Sequence, residues 1–224
     1  MDGCTFADGW LRGEAGALRW ELDVDSAGAP LYTFSRAVWR RQLLPAAQIV
    51  PAPDARVHGR LVVDGVERAF DGPGAVARIY GHGNAQRWAW LHAHLGYDTT
   101  LEIVTAIARR PGLRALPPLA LVQLRSPGER DWPAQPLLAA LRFRTRIGDD
   151  EFVVRGRSGG RRLDVRVSLP PARTVSLEYV DPDGATATCR NSEVASADIE
   201  WGPTGATRTW RLDGVAHAEI GTRP

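Results

Sequence analysis

The sequence predicts an all-β protein with an antiparallel β-barrel architecture in two packed β-halves. Three observations carry this. Short runs of alternating apolar and polar residues recur along the 224 residues, and Gly, Pro, Asp and Asn separate them. Helical periodicity is scarce. Compact turn signals stand between neighbouring runs: Val63-Asp-Gly-Val66, Ser158-Gly-Gly160, Asp181-Pro-Asp-Gly184 and Leu212-Asp-Gly-Val215. Glycine there supplies the positive φ that a tight hairpin needs, and proline presets the first corner.

Taken in order, the predicted strands cover 17–24, 31–34, 57–63, 66–70, 88–95, 100–107 and 120–125 in the first part of the chain. In the second part they cover 142–147, 152–157, 161–168, 174–180, 185–190, 197–201, 208–212 and 215–220. Segments 36–44 and 132–141 have the length and composition of short helices. Proline-rich stretches at 45–53 and 110–118 read as connections. The polar segment 126–136 contains three prolines, so the halves are expected at 1–125 and 137–224 with 126–136 joining them. Trp132 then lies in the connection.

Composition narrows the classes of function. A net charge of +2 gives no basic stripe for nucleic acid. All 28 basic residues are arginine, so no lysine can form a Schiff base. Cys4 and Cys189 make no disulfide framework and no CxxC. With no signal-like start and no long apolar run, the expected setting is cytoplasmic, without a membrane span. Gly81-His-Gly83 and Asp71-Gly-Pro-Gly74 lack phosphate-loop form, and no Gly-x-Ser-x-Gly is present.

The segment from Tyr80 to His94 is the richest in chemistry. Strand side chains alternate, so Trp88, Trp90, His92 and His94 share a face. If Leu95 pairs with Thr100, that face continues into Leu101, Ile103, Thr105 and Ile107. Ala89, Leu91, Ala93 and Leu95 then lie on the other face with Thr100, Glu102, Val104 and Ala106. The bulkier face is assigned to the barrel interior. Two explanations of it stand: a plain core with histidines bonded to backbone carbonyls, or an aromatic-lined cavity for an apolar ligand.

The motifs resemble those of the tocopherol cyclases and the related carotenoid 1,2-hydratases. Four pieces match in order: Val57-His-Gly-Arg-Leu-Val-Val-Asp-Gly65; Tyr80-Gly-His-Gly with Arg87-Trp-Ala-Trp90; Leu119-Ala-Leu-Val-Gln-Leu124; and Ala187-Thr-Cys-Arg-Asn-Ser192. The match runs over roughly residues 56–220. The chain departs from the family in its reduced front half, in Tyr80 for a tryptophan, in His82 for a glycine and in Asn191 for an aspartate.

The resemblance implies a doubled, lipocalin-like fold and a cofactor-independent reaction. In that reaction an isolated isoprenoid double bond is protonated, and a phenol oxygen or water captures the cation. Such chemistry needs a dry apolar site, a positioned acid and aromatic faces. On this reading His92 or Glu102 is the acid, with His92 ranked first because the expected register turns Glu102 away. Trp88, Trp90, His82 and His94 bind the apolar ligand, and Tyr80 and Asn191 orient its polar head. Arg190 is expected to pair with an acidic neighbour.

Three alternatives stay open: a non-catalytic carrier of a hydrophobic metabolite, a shape-directed polyene cyclase, and a metal enzyme using His92 and His94 with His82 or His217. The oligomeric state is open, a homodimer included.

Overall fold

The computed structural model describes residues 3–26, 28–43, 46–81, 85–96 and 98–224. Among them fifteen strands and two short α-helices form two antiparallel sheets. The strands are β1 (Cys4–Ala7), β2 (Trp10–Ala15), β3 (Leu18–Asp25), β4 (Leu31–Tyr32), β5 (Ala46–Val63), β6 (Val66–Gly81), β7 (Ala85–His94), β8 (Thr100–Ala108) and β9 (Leu119–Arg125). They continue with β10 (Phe143–Ile147), β11 (Glu151–Ser158), β12 (Arg161–Ser168), β13 (Val175–Val180), β14 (Thr186–Pro203) and β15 (Arg208–Thr222).

The chain forms two compact units. One is Met1–Leu31 with Ile49–Arg78; the other is Tyr32–Gln48 with Ile79–Pro224. The division expected at 126–136 is therefore corrected. Strands β9 and β10 flank that segment, yet both belong to the same nine-stranded sheet. The shared core explains this: Leu124, Trp132 and Phe143 are buried together.

In the smaller unit the strand order is β1-β2-β3-β5-β4, with β6 paired to β5. Asp64 and Gly65 at the β5/β6 turn have φ of 51° and 77°, as a two-residue Asp-Gly hairpin demands. The strands at 57–63 and 66–70 are longer than expected, and β5 runs through Pro51 and Pro53.

The larger unit's sheet has the order β10-β11-β12-β14-β15-β7-β8-β9, with β13 also paired to β14. It curls until β10 lies against β9, giving a nearly closed barrel. Its interior is packed with side chains: Leu91, Leu101, Ile103, Val154, Leu163 and Ile199 are fully buried. Alanines 89, 93, 195, 197, 216 and 218 fill the narrow spaces between them.

Local signals account for much of this. Gly159 and Gly160 take φ of 55° and 75° where β11 turns into β12. The 181–184 turn closes with Gly184 N donating to Asp181 O at 2.8 Å. The expected turn at Asp213-Gly214 is instead a bulge inside β15, flanked by register shifts against β14. Ser196 Oγ accepts from Gly214 N at 3.2 Å and donates to Asp213 Oδ1 at 3.4 Å. The extra residues are thus absorbed and the strand continues on the same partner.

The helices are shorter than expected: α1 spans Arg36–Arg40, capped by Ser35, and α2 spans Pro136–Ala140. Trp132 cannot join α2 because its backbone bonds to Leu124 in both directions.

Candidate functional site

The hairpin β7/β8 decides which residues meet. Leu95 N bonds to Thr99 O at 2.8 Å, so the hairpin closes between Leu95 and Thr99, one position earlier than expected. Gly96 and Asp98 have φ of 82° and 54°, and these left-handed residues shorten the turn by one position. The pairing is His94↔Thr100, His92↔Glu102 and Trp90↔Val104. Glu102 therefore shares the face of His92, opposite to the expected placement. A slip of one residue changes every side chain's face.

A second correction follows from the core. Ala89, Leu91, Ala93, Leu101 and Ile103 point into the barrel. Trp88, Trp90, His92, His94 and Glu102 lie on the barrel's outer face, not in an interior cavity. The reason is local width: β7 presents Ala89 and Ala93 and the adjoining part of β15 presents Ala216 and Ala218 to an interior already filled by Leu91, Leu101 and Ile103.

The outer face is built row by row from five strands. One row runs Cys189, Gly221, Trp88 and Ala106; the next Asn191, Glu219, Trp90 and Val104; the next His217, His92, Glu102 and Gln123. Cross-strand neighbours in a row, and diagonal ones, are within reach of each other.

Glu102, about 1% exposed, is the hub. Its Oε1 accepts from Trp90 Nε1–H and from Gln48 Nε2 at 2.9 Å. Its Oε2 lies 2.9 Å from His92 Nδ1. A carboxylate only accepts, so Nδ1 carries the proton. His92 Nε2 then faces His94 Nε2 at 3.4 Å. A carboxylate, a buried imidazole and a half-buried imidazole form one hydrogen-bonded chain beside the Trp90 ring.

Trp88 is held in a parallel way. Its Nε1–H donates to Glu219 Oε1 at 3.0 Å, and Cys189 Sγ lies 3.4 Å from Glu219 Oε2. Burial and the Glu219 charge push the Cys189 thiol up to about 12, so it is a protonated donor. Burial, then the neighbouring Cys189 and Glu219, push the Tyr179 phenol up as well.

Gly221 makes room for the Trp88 ring. A Cβ there would stand 1.9 Å from Trp88 Cζ2 and 2.0 Å from Cε2. Gly221→Ala should displace the indole and cost about 1–3 kcal/mol as overpacking. Thermal unfolding should fall by about 2–4 °C for each kcal/mol lost, together with a change in tryptophan fluorescence. An unaltered melt and spectrum would contradict this packing.

His217 sits edge-on to Trp90, with ring centroids 4.5 Å apart, and its Nδ1 is 2.9 Å from Glu193 Oε2. Burial pulls the imidazole down. The Glu193 hydrogen bond and the charges of Glu193, Glu219 and Glu102 outweigh it and hold His217 above 6.5. The same bond holds Glu193 below 4.5, against its own burial. The raised histidine stabilises the fold fully below pH 6.5 and loses that contribution as pH rises through its folded value. The lowered carboxyl stabilises fully above pH 4.5 and loses it as pH falls through its folded value. The pair should therefore contribute most between pH 4.5 and 6.5. Melting temperatures of wild type and Glu193→Gln, followed from well below pH 4.5 to well above pH 6.5, test this: the gap should be widest inside that window and shrink on both sides, and parallel curves over the whole span would refute it.

Of the other expected site residues, Tyr80 packs against Trp39 with the rings tilted and centroids 4.9 Å apart, and its buried hydroxyl has no partner among the described residues. Asn191 lies opposite Glu219 on β14. His82 lies outside the described residues. Arg190 pairs with Asp150 at 2.5 Å. Sequence reasoning missed Gln48, Cys189, Glu193 and Glu219 as members of this face. The alternation of β15 would have pointed to Glu219, two residues from His217. Nothing local marks Gln48. Among the described residues no group of three His, Cys, Asp or Glu side chains is arranged to hold a metal. Among them, too, no helix is long and apolar enough to cross a membrane.

An antiparallel barrel with a buried carboxylate–imidazole chain beside two tryptophans fits the family suggested by the sequence motifs. The tocopherol cyclase-like family model matches residues 5–221, and the chain belongs to that family. The protein Rv0493c of Mycobacterium tuberculosis H37Rv, described as uncharacterized, is 49% identical over 222 residues; the match covers 99% of this chain and 66% of the relative. The chain thus spans slightly under two thirds of that relative's length.

Solved structures share the fold. The putative AttH of Nitrosomonas europaea aligns with a TM-score of 0.57 at 13% identity, covering 98% of this chain and 70% of that one. Kievitone hydratase from Nectria haematococca aligns at 0.56 and 12% identity, covering 95% and 64%. CghA with Sch210972 aligns at 0.56 and 12% identity, covering 96% and 64%.

Proposed function

We propose that this protein binds an apolar, isoprenoid-like molecule against the Trp88–Trp90 face and catalyses its cyclisation or hydration by protonating a carbon–carbon double bond. The observation that carries this is the Glu102–His92–His94 chain beside Trp90, in a member of the tocopherol cyclase-like family. Glu102 orients His92 and stabilises its imidazolium. His92 is the acid through Nε2, the ligand's double bond taking the place of His94 at that nitrogen, and His94 afterwards returns a proton to it from solvent. The electron-rich faces of Trp88 and Trp90 stabilise the cation. Tyr80 and Asn191 orient the polar head of the ligand. A phenol oxygen then captures the cation and loses its proton, which is net isomerisation, or water adds and releases one.

The test is incubation with a prenylated phenol in deuterated water, followed by mass spectrometry. A cyclised or hydrated product with one carbon-bound deuterium supports the reading, because the transferred proton comes from exchangeable imidazole. Tight binding with no product would mark a carrier instead. Neither binding nor turnover would overturn the assignment of this face.

A further inference from the structure

Each tryptophan of the outer face is tied by its indole N–H to a different buried carboxylate. Trp90 donates to Glu102 and Trp88 to Glu219, the latter at 3.0 Å. Glu102 and Glu219 are about 1% and 8% exposed. The two arrangements come from different strands: Glu102 from β8 and Glu219 from β15. Each acid lies diagonally across from its indole in the ladder. Neither contact is needed to fill the barrel core, which lies on the opposite face.

Chemistry gives this repetition a consequence. An indole that donates its N–H to an anion gains electron density in its ring, and its face then attracts a cation more strongly. Low local dielectric magnifies the effect, and the two carboxylates add their own negative field. Gly221 leaves room for the Trp88 ring over the strand, and Cys189 bonds to the second oxygen of Glu219. The Trp88–Glu219 pair is thereby fixed in orientation.

We propose that Glu219 is a positioning residue that polarises Trp88, as Glu102 does Trp90, and that this face selects ligands carrying positive charge on an apolar frame. The ligand class is a lipophilic quaternary ammonium, or the carbocation that such an ammonium imitates. This rests on the reading of the Trp88–Trp90 face as a binding site, but not on any turnover there.

The experiment uses the full chain and two probes of the same shape: a geranyl trimethylammonium, and its neutral analogue in which carbon replaces nitrogen. Calorimetry should show the cation binding the wild type at least about tenfold more tightly than the neutral probe. Glu219→Gln keeps the shape and an acceptor oxygen. It should reduce that preference severalfold while leaving the neutral probe's affinity unchanged.

Indole ¹⁵N–¹H spectra supply the second readout. The Trp88 Nε1–H signal should move upfield in Glu219→Gln while that of Trp90 stays in place, showing that only this hydrogen bond has changed; a purely structural role would then leave the cation preference where it was. Equal affinity for both probes, no binding of either, or equal weakening of both in the variant would overturn the proposal. Cation preference without turnover of a prenylated phenol would leave this inference standing and remove the reaction. Turnover without cation preference would do the reverse.

Discussion

Glu102→Gln should lower turnover of a prenylated phenol by about 100-fold or more, the scale of a lost general acid. The size of the effect follows from who meets whom. Glu102 Oε1 accepts from Trp90 and Gln48, and Oε2 faces His92 Nδ1. A glutamine oxygen can serve Trp90 and Gln48, but its NH2 then faces Nδ1. His92 must become an acceptor at Nδ1 and move its proton to Nε2. Nitrogen-15 spectra of the His92 ring should report the tautomer change directly. Retained turnover with an altered tautomer would remove His92 as the acid. Glu102→Leu should additionally destabilise the fold, because each buried donor left without a partner costs about 1–3 kcal/mol.

Trp132→Ala should be the most destabilising single truncation, about 3–5 kcal/mol. The sequence reading put Trp132 in a connecting segment. The structure buries it at about 6% exposure. Its ring lies edge-on to Phe143 at 5.9 Å and to Trp201 at 5.8 Å. Its Nε1–H donates to Ser158 O at 3.0 Å. Truncation empties a large volume between β9, β10 and β14 and orphans a carbonyl. Trp90→Ala, on the outer face, should cost less stability and far more ligand affinity. Thermal unfolding of both variants distinguishes them. A Trp132→Ala melt within about 2 °C of wild type would sink the assignment, since even 1 kcal/mol moves a domain of this size that far.

The site was partly legible in advance. Trp88, Trp90, His92 and His94 form a row because period-2 alternation is a property of any strand. Which side of the barrel that row faces was not legible, because both faces of β7 and β8 are largely apolar. The register was not legible either, since it hangs on the left-handed residues Gly96 and Asp98. Four- and three-residue loops look alike in sequence, but they place Glu102 on opposite faces. The Asp213-Gly214 signal was read as a turn for a similar reason: whether an Asp-Gly pair ends a strand or bulges within it depends on the partner strand, here through Ser196.

The sequence by itself determined the all-β class, most strand positions, the Ser158-Gly-Gly160 and 181–184 turns, the family, and the row of aromatic and imidazole side chains. Each of these rests on interactions between near neighbours in the chain. Only the tertiary structure decided that Glu102 is the hub of that row, that Glu219 and Gln48 join it, and that Trp132 belongs to the core. Those facts depend on contacts between residues up to 131 positions apart, as for Trp88 and Glu219. Such contacts arise only when the sheet curls and strands distant in sequence come into register.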